Sequence, residues 1–310
     1  MTARLAILGP TASGKSSVAM ALALSDVGRS VGVELVSIDA MQVYRGMDIG
    51  TAKPDPTEQR AVRHHLIDLV DATESFTVSR FQGAYRDALA DIGSRGGRAV
   101  LVGGTGLYLR AVVDDLDIPG QWPDIRTRLE REAHEFGAEA LHARLTSLYP
   151  AAAAKMEPSN ARRIVRALEV CEGSGRAFSS FGPGVDTYPE STVTQVALRW
   201  PRDVLSGRIE RRVHHMVESG LVAEVAGLRE SGMSVTAGQA LGYKEIVDHL
   251  EGRCSLDEAV DTTILRTRQF AVRQERWFRR DPRVRWFDVE SDPVAEVTPQ
   301  LERMLLESLA

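Results

Sequence analysis

Short apolar runs bounded by glycine or charge recur along the chain: LAILG (Leu5 to Gly9), VELVSID (Val33 to Asp39), HLIDLV (His65 to Val70), AVLVGG (Ala99 to Gly104), TQVALRW (Thr194 to Trp200) and VRWFDV (Val284 to Val289). Their length and composition predict strands. Between them the apolar spacing becomes helical, as over Ser17 to Leu24 and Val78 to Ile92. Strands that alternate with helices imply an α/β fold: a parallel sheet with helices on both faces.

The alternation stops from about Asp115 to Glu190, where PDIRTRLEREAHEFGAEALHARLTSLYPAAAAKM and PSNARRIVRALEVCEGSG carry only helical patterns. Turn formers flank this block at IPGQWP (Ile118 to Pro123) and FGPGVDTYPE (Phe181 to Glu190). The expected organisation is therefore a core in two parts, 1–115 and 191–310, with an inserted all-helical domain over 116–190. After Arg202 the pattern is again mostly helical up to Val284.

Composition narrows the function classes. The 310 residues are 43% hydrophobic and 26% charged, with a formal charge of −5, so any nucleic acid must be held by a local basic patch. The two cysteines, Cys171 and Cys254, have neither metal-module nor disulfide-framework spacing. No apolar run approaches the roughly 20 residues of a membrane span, and the first strand starts too early for a signal peptide. No membrane partner, a cytoplasmic location and a monomer are expected.

GPTASGKS, Gly9 to Ser16, matches GxxxxGK[ST] directly after one expected strand and before a helix. In a P-loop of this kind the backbone of Gly9, Pro10, Thr11, Ala12, Ser13 and Gly14 turns its N–H groups, proline excepted, toward phosphate oxygens. Lys15 neutralises charge and the Ser16 hydroxyl can bind Mg²⁺. The motif fixes a phosphate, not its owner. Asp39 ends the second strand, where a carboxylate faces the ligand crevice of a doubly wound sheet. It can serve as a metal carboxylate, as a general base, or only as a turn aspartate. GGTGLYLRA (Gly103 to Ala111) also follows a strand; its glycines would admit a ligand, and Thr105 offers a hydroxyl.

Basic residues cluster in three places. NARRIVR puts Arg162 and Arg163 in the first turn of a helix, with Arg166 one turn on, where a bound anion would relieve their conflict with the macrodipole; with Ile164, Ala167, Leu168 and Cys171 as the apolar face, they can equally be the solvated side of an amphipathic helix. If Arg266 to Arg285 is one helix, Ile264, Ala271 and Phe278 form an apolar row, and Arg266, Arg273 and Arg280 a basic row about 200° away. That row could track a phosphate backbone or be a solvated face. DIRTRLER places Arg126, Arg128 and Arg131 among Glu130, Glu132 and Glu135, which equally makes a plain surface helix.

Taken together, GPTASGKS, DAMQVYRGMDIGTAKP, VGGTGLYLRA, NARRIVRALEV, ALGYKE and TRQFAVRQERWFR resemble the tRNA dimethylallyltransferases, in the same order and over most of the chain. The resemblance implies that the P-loop holds the diphosphate of dimethylallyl diphosphate with Mg²⁺, not ATP. It implies Asp39 as the base toward an adenine amine of tRNA, with Lys15 and Thr105 beside it. It further implies tRNA contacts from Asp39, Ala40, Met41, Gln42 and Thr105, and from Arg126 or Arg128. The chain departs from the family at Ala40, where serine is frequent, and at Val272, where lysine is frequent; the zinc finger of many eukaryotic relatives is absent, as in the bacterial type. Competing expectations are a P-loop small-molecule kinase, a prenyltransferase of free adenine nucleotides, and an NTP-switched RNA-binding module. The kinase leaves the basic helices and the insertion without purpose, a free nucleotide needs no such surface, and Asp39 at the crevice rim, taken with the resemblance, disfavours the RNA-binding module.

Overall fold

A computed structural model describes residues 3–182 and 184–307; Pro183 of the expected exit segment lies outside the described residues. The described strands are β1 (Ala3–Leu8), β2 (Val33–Ile38), β3 (Tyr44–Arg45), β4 (His64–His65), β5 (Val70–Asp71), β6 (Arg98–Gly103), β7 (Thr194–Arg199) and β8 (Val284–Asp288). Six of them make one parallel sheet in the order β4-β2-β6-β1-β7-β8, and β3 pairs with β5. The α/β architecture read from the apolar runs is present.

Strand periodicity sends alternate residues to opposite faces. Leu5, Ile7, Leu35, Val196 and Leu198 enter one core, closed by Val18 and Leu22, Leu205 and Ile209, and Val297 and Leu301. Ala6, Leu8, Val36, Ile38, Leu101 and Ala197 enter the other, closed by Phe81 and Ile92, Leu109 and Tyr243. The long helix Leu256–Phe278 supplies both, through Ile264 and Ala271 to the first and Phe278 to the second. Burying a side chain of this size stabilises by roughly 1.5–3 kcal/mol, so the strand ends beneath the crevice are firmly held.

Two features differ from the sequence reading. The run His65 to Val70 is not one strand, because Leu66 (φ 63°) and Asp68 (φ 54°) are left-handed and Asp68 and Leu69 donate instead to the carbonyls of Gln42 and Val43. The helix that opens at Leu256 does not reach Arg285 but ends at Phe278. Pro282 disfavours helix at Asp281, and the buried Asp281 carboxylate instead holds the Arg283 N–H and guanidinium. Arg280 therefore lies in the turn beyond the helix, and Arg285 on β8.

The chain divides into two compact units, Met1–Val113 with Glu190–Ala310, and Asp114–Pro189. The second has its own core of Leu129, Leu141, Leu145, Ile164 and Leu168. Its main helices are Pro123–Phe136, Ala138–Leu148 and Ala161–Ser174. Proline opens the first, glycine separates the first two, and the Asn160 side chain caps the third by accepting from Arg163 N–H.

Candidate active site

The register of the sheet brings three loops level. Gly103 of β6 pairs with Leu8 of β1 on one side and Ile38 of β2 on the other, so Gly9, Gly104 and Asp39 all follow strands that end at the same height. Thr105 N–H closes the rim by donating to the Ile38 carbonyl at 3.3 Å.

The phosphate loop is tied down from three directions. Trp200 Nε1 donates to the Ser13 carbonyl at 2.9 Å, Arg208 Nε to the Ala12 carbonyl at 2.8 Å, and Thr11 N–H to Gln274 Oε1 at 2.9 Å. Gly14 adopts φ 89° at the N-cap of the helix Lys15–Leu24, which has no side-chain cap. The first N–H groups of that helix are thus left for an anion. Thr11 and Ser13 are different, since Gln274 and the Pro10 carbonyl already take their N–H groups. Of Gly9, Pro10, Thr11, Ala12, Ser13, Gly14, Lys15 and Ser16, the uncommitted backbone donors lie toward the helix; Ser16 is exposed there.

The electrostatics single out the same place. Burial and the neighbouring Arg212 guanidinium push the Lys15 ammonium down to about 8, while Asp39 pulls upward in part. Burial likewise lowers Arg212, again opposed by Asp39. Arg212 has no hydrogen-bonded acid among the described residues, so Lys15 and Arg212 are two half-buried cations, each within electrostatic reach of the Asp39 carboxylate. Such a net positive recess favours a multiply charged anion.

Asp39 is both a turn residue and a crevice carboxylate. Its Oδ1 accepts from Met41 N–H at 2.8 Å and Gln42 N–H at 3.4 Å. Thr105 Oγ1 accepts from Ala40 N–H at 3.2 Å, so the hydroxyl fixes the backbone beside Asp39. The glycines of GGTG do not make room for a ligand, contrary to the sequence expectation. A Cβ on Gly103 would stand 2.1 Å from the Ile38 carbonyl oxygen, on Gly104 2.2 Å from Gln274 Nε2, and on Gly106 2.1 Å from Trp277 Nε1. Protein atoms fill the space that glycine vacates.

The block DAMQVYRGMDIGTAKP is mostly braced from within. The Gln42 amide accepts from Ser37 Oγ at 2.7 Å and donates to the Thr51 and Ala52 carbonyls. The buried Lys53 ammonium binds the Tyr44 carbonyl, Asp48 and Asp68. Glu224 accepts from the N–H groups of Asp48, Ile49 and Gly50 and from the Tyr243 hydroxyl at 2.6 Å. ALGYKE, which carries Tyr243, and DIG are thus two halves of one joint.

The arginines divide sharply. In the insertion, Arg126 reaches Glu169 through Nε at 2.9 Å and Nη2 at 2.7 Å, and Arg166 pairs with the same carboxylate and with the Pro119 carbonyl. Burial alone would raise the Glu169 carboxyl, but the Trp122 N–H, Arg126 and Arg166 hold it below its ordinary range. Arg128 and Arg144 share Glu132 and Glu172. Arg162 and Arg163, by contrast, are exposed without an acid partner among the described residues. On the long helix Arg266 pairs with Glu245, whereas Arg273 meets only the Phe270 ring and Arg280 is exposed past the helix end. Of the expected row of three, Arg273 is the one helical member without an acid partner among the described residues. Arg208, Arg212, Trp200 and Gln274 do not stand out in the sequence. The i, i+4 spacing of Arg208 and Arg212 on the helix Arg202–Glu218 is the one signal that points to them.

Comparison with known proteins fits this arrangement. The IPP transferase family model matches residues 42–281. A tRNA dimethylallyltransferase of Kineococcus radiotolerans is 50% identical, covering 98% of this chain and 96% of its own, and one of Thermobifida fusca is 46% identical over 96% and 93%. The crystal structure of a full-length tRNA isopentenylpyrophosphate transferase from Bacillus halodurans superposes with a TM-score of 0.69 at 39% identity, covering 100% of this chain and 98% of that one. These likenesses span nearly the whole chain, and the chain belongs to the tRNA dimethylallyltransferase family.

Proposed function

We propose that the protein transfers the dimethylallyl group of dimethylallyl diphosphate to N6 of the adenosine immediately 3′ of the anticodon in tRNA, releasing pyrophosphate. The observation that carries this reading is the level strand ends that set the uncapped phosphate-loop helix, which begins with Lys15, next to the Asp39 turn. A carboxylate beside two cations suits a reaction in which one partner gives up a proton and the other departs as an anion.

In this reading the helix-side N–H groups of the loop, Lys15 and Arg212 hold the diphosphate. The adenine amine attacks the allylic carbon, the carbon–oxygen bond to the diphosphate breaks, and its electron pair leaves with pyrophosphate. Asp39 takes the amine proton, which an exocyclic amine of low basicity needs a positioned base to lose. The cations meet charge that grows as the bond breaks, where they stabilise most. The adenine must leave its stack to reach the crevice. Thr105 serves by holding the backbone next to Asp39.

The donors present fit a divalent ion at the loop. The Ser16 hydroxyl is a hard oxygen ligand that suits Mg²⁺. Among the described residues no group of three or more His, Cys, Asp or Glu could hold an ion, so its other ligands would be diphosphate oxygens and water. Mg²⁺ would supply further charge neutralisation to the leaving group. For tRNA, Arg162 and Arg163 on the insertion and, separately, Arg273 and Arg280 on the core are proposed as accessible cations. Arg126, Arg128 and Arg166 first serve their own carboxylates. No described helix is long and apolar enough to cross a membrane, and the enzyme is proposed to act as a cytoplasmic monomer.

The test is incubation with labelled dimethylallyl diphosphate, Mg²⁺ and either unmodified tRNA or AMP. Label is expected in tRNA; label entering AMP but not tRNA overturns the reading.

A further inference from the structure

Thr11 and Gln274 are separated by 263 positions in the chain, yet one amide joins the two loops on which the proposed chemistry depends. Gln274 Oε1 accepts from Thr11 N–H of the phosphate loop at 2.9 Å, and its Nε2 donates to the Gly104 carbonyl at 2.9 Å. The side chain is 7% exposed and both ends are satisfied. Gly104 has no room for a Cβ because the amide occupies that space, and a Cβ there would also come within 3.2 Å of the Gly9 carbonyl. One residue further on, Thr105 holds Ala40 N–H beside Asp39. Three residues further along the same helix, Trp277 seals the junction by packing its indole against Gly106.

A glutamine is suited to this span because its amide is at once donor and acceptor, and each loop presents the opposite group. Without it Thr11 N–H and the Gly104 carbonyl would be deprived of these hydrogen bonds, and the loops could drift relative to each other. A drift of about 1 Å between reacting groups is enough to cost on the order of 10²-fold in rate. The same helical turn carries Arg273 and Arg276, so the residue that ties the loops lies in sequence between a cation of the proposed tRNA surface and a second arginine.

We propose that Gln274 is a positioning residue: it sets the distance between the diphosphate loop and the Thr105–Asp39 loop, and so the alignment of leaving group and base. It touches neither substrate. The inference rests on the reading of the loop as a diphosphate site.

The test replaces the amide with an apolar chain of similar length, Gln274→Met, in the full chain. Binding of inorganic pyrophosphate with Mg²⁺, measured by calorimetry, is expected to weaken about 10-fold, and kcat to fall by about 10²-fold per folded molecule. The KM for tRNA is expected to stay within about 2-fold; because a smaller folded fraction would also lower apparent kcat at constant KM, the pyrophosphate dissociation constant, which does not depend on the active fraction, is the readout that separates positioning from lost fold. Gln274→Asn, one methylene too short to span both loops, is read in the same way and serves if the methionine variant does not fold. Wild-type pyrophosphate affinity and wild-type kcat in either folded variant overturn the proposal. Failure of the wild-type protein to prenylate tRNA would instead sink the proposed function, and pyrophosphate binding would still report on Gln274.

Discussion

The helical insertion and the sheet edge use positive charge in opposite ways. In the insertion, Arg126, Arg128, Arg144 and Arg166 are matched by Glu132, Glu169 and Glu172, so the charges largely cancel within the unit. At the sheet edge, Lys15 and Arg212 are each depressed by burial, with Asp39 as the acid that acts on both. A cation that already has its carboxylate holds the fold together; one kept desolvated without a hydrogen-bonded acid awaits a ligand. The sequence hid this difference, because Glu169, the partner of Arg126, is 43 positions away and Glu172, a partner of Arg128, is 44 positions away.

The contrast can be broken most forcefully at Asp39. Asp39→Asn keeps an oxygen for the Met41 and Gln42 N–H groups but removes the base, so single-turnover prenylation is expected to slow by about 10²–10⁴-fold with tRNA affinity nearly unchanged. Retained turnover would leave Asp39 as a turn residue only. Next in size, Arg212→Met is expected to cost about 10²–10³-fold in kcat, read by steady-state transfer, since it removes a charge aimed at the departing diphosphate.

Acidity gives a graded version of the same test. The Lys15 ammonium, lowered to about 8, is charged below that value and loses its proton as pH rises through it. Pyrophosphate affinity should therefore be level below about pH 8 and fall above it by up to about 10-fold per unit, with proton uptake on binding. Calorimetry in buffers of different ionisation enthalpy reads both. A flat profile through about pH 9.5 would mean that burial does not bring the Lys15 ammonium down into this range.

The insertion provides the smaller effects. Replacing Arg162 and Arg163 with serine is expected to weaken tRNA binding several-fold and to reduce its salt slope by about 1 for each phosphate no longer met. Arg126→Met should act on stability instead, lowering it by about 1 kcal/mol because Glu169 keeps the Trp122 N–H and Arg166, with the rate per folded molecule unchanged. If Arg126→Met instead changed the salt slope and left thermal unfolding alone, the division drawn between the two regions would fail.

What is legible in the sequence follows the range of the interactions. The phosphate loop and five of the strands can be read because their signals are local: a glycine–lysine motif, or an apolar run with turns at its ends. The end of the long helix at Phe278 is also available, through the Asp281–Pro282 pair that follows it. The break at Leu66 to Asp68 is not, because its cause lies more than twenty residues away in the carbonyls of Gln42 and Val43, with Lys53 adding its ion pair to Asp68. Gly103, Gly104 and Gly106 look like ligand-facing glycines, and only the distant Ile38, Gln274 and Trp277 explain them. Arg212 stays hidden for the same reason, since its importance depends on Lys15 and Asp39 from other parts of the chain.

The place of the insertion has a consequence for how the chain folds. β7 joins β1 in register, with Leu5 opposite Thr194, so the sheet's centre closes only after the chain has made the whole excursion through Asp114–Pro189. Loop-closure entropy grows only logarithmically with length, and removing the excursion would lessen that cost by roughly half a kcal/mol. The sheet can thus carry a helical unit in the connection between β6 and β7, the two strands that flank β1, at almost no thermodynamic penalty. The burden falls on kinetics, because so non-local a pairing forms slowly and β1 waits with one edge unfilled.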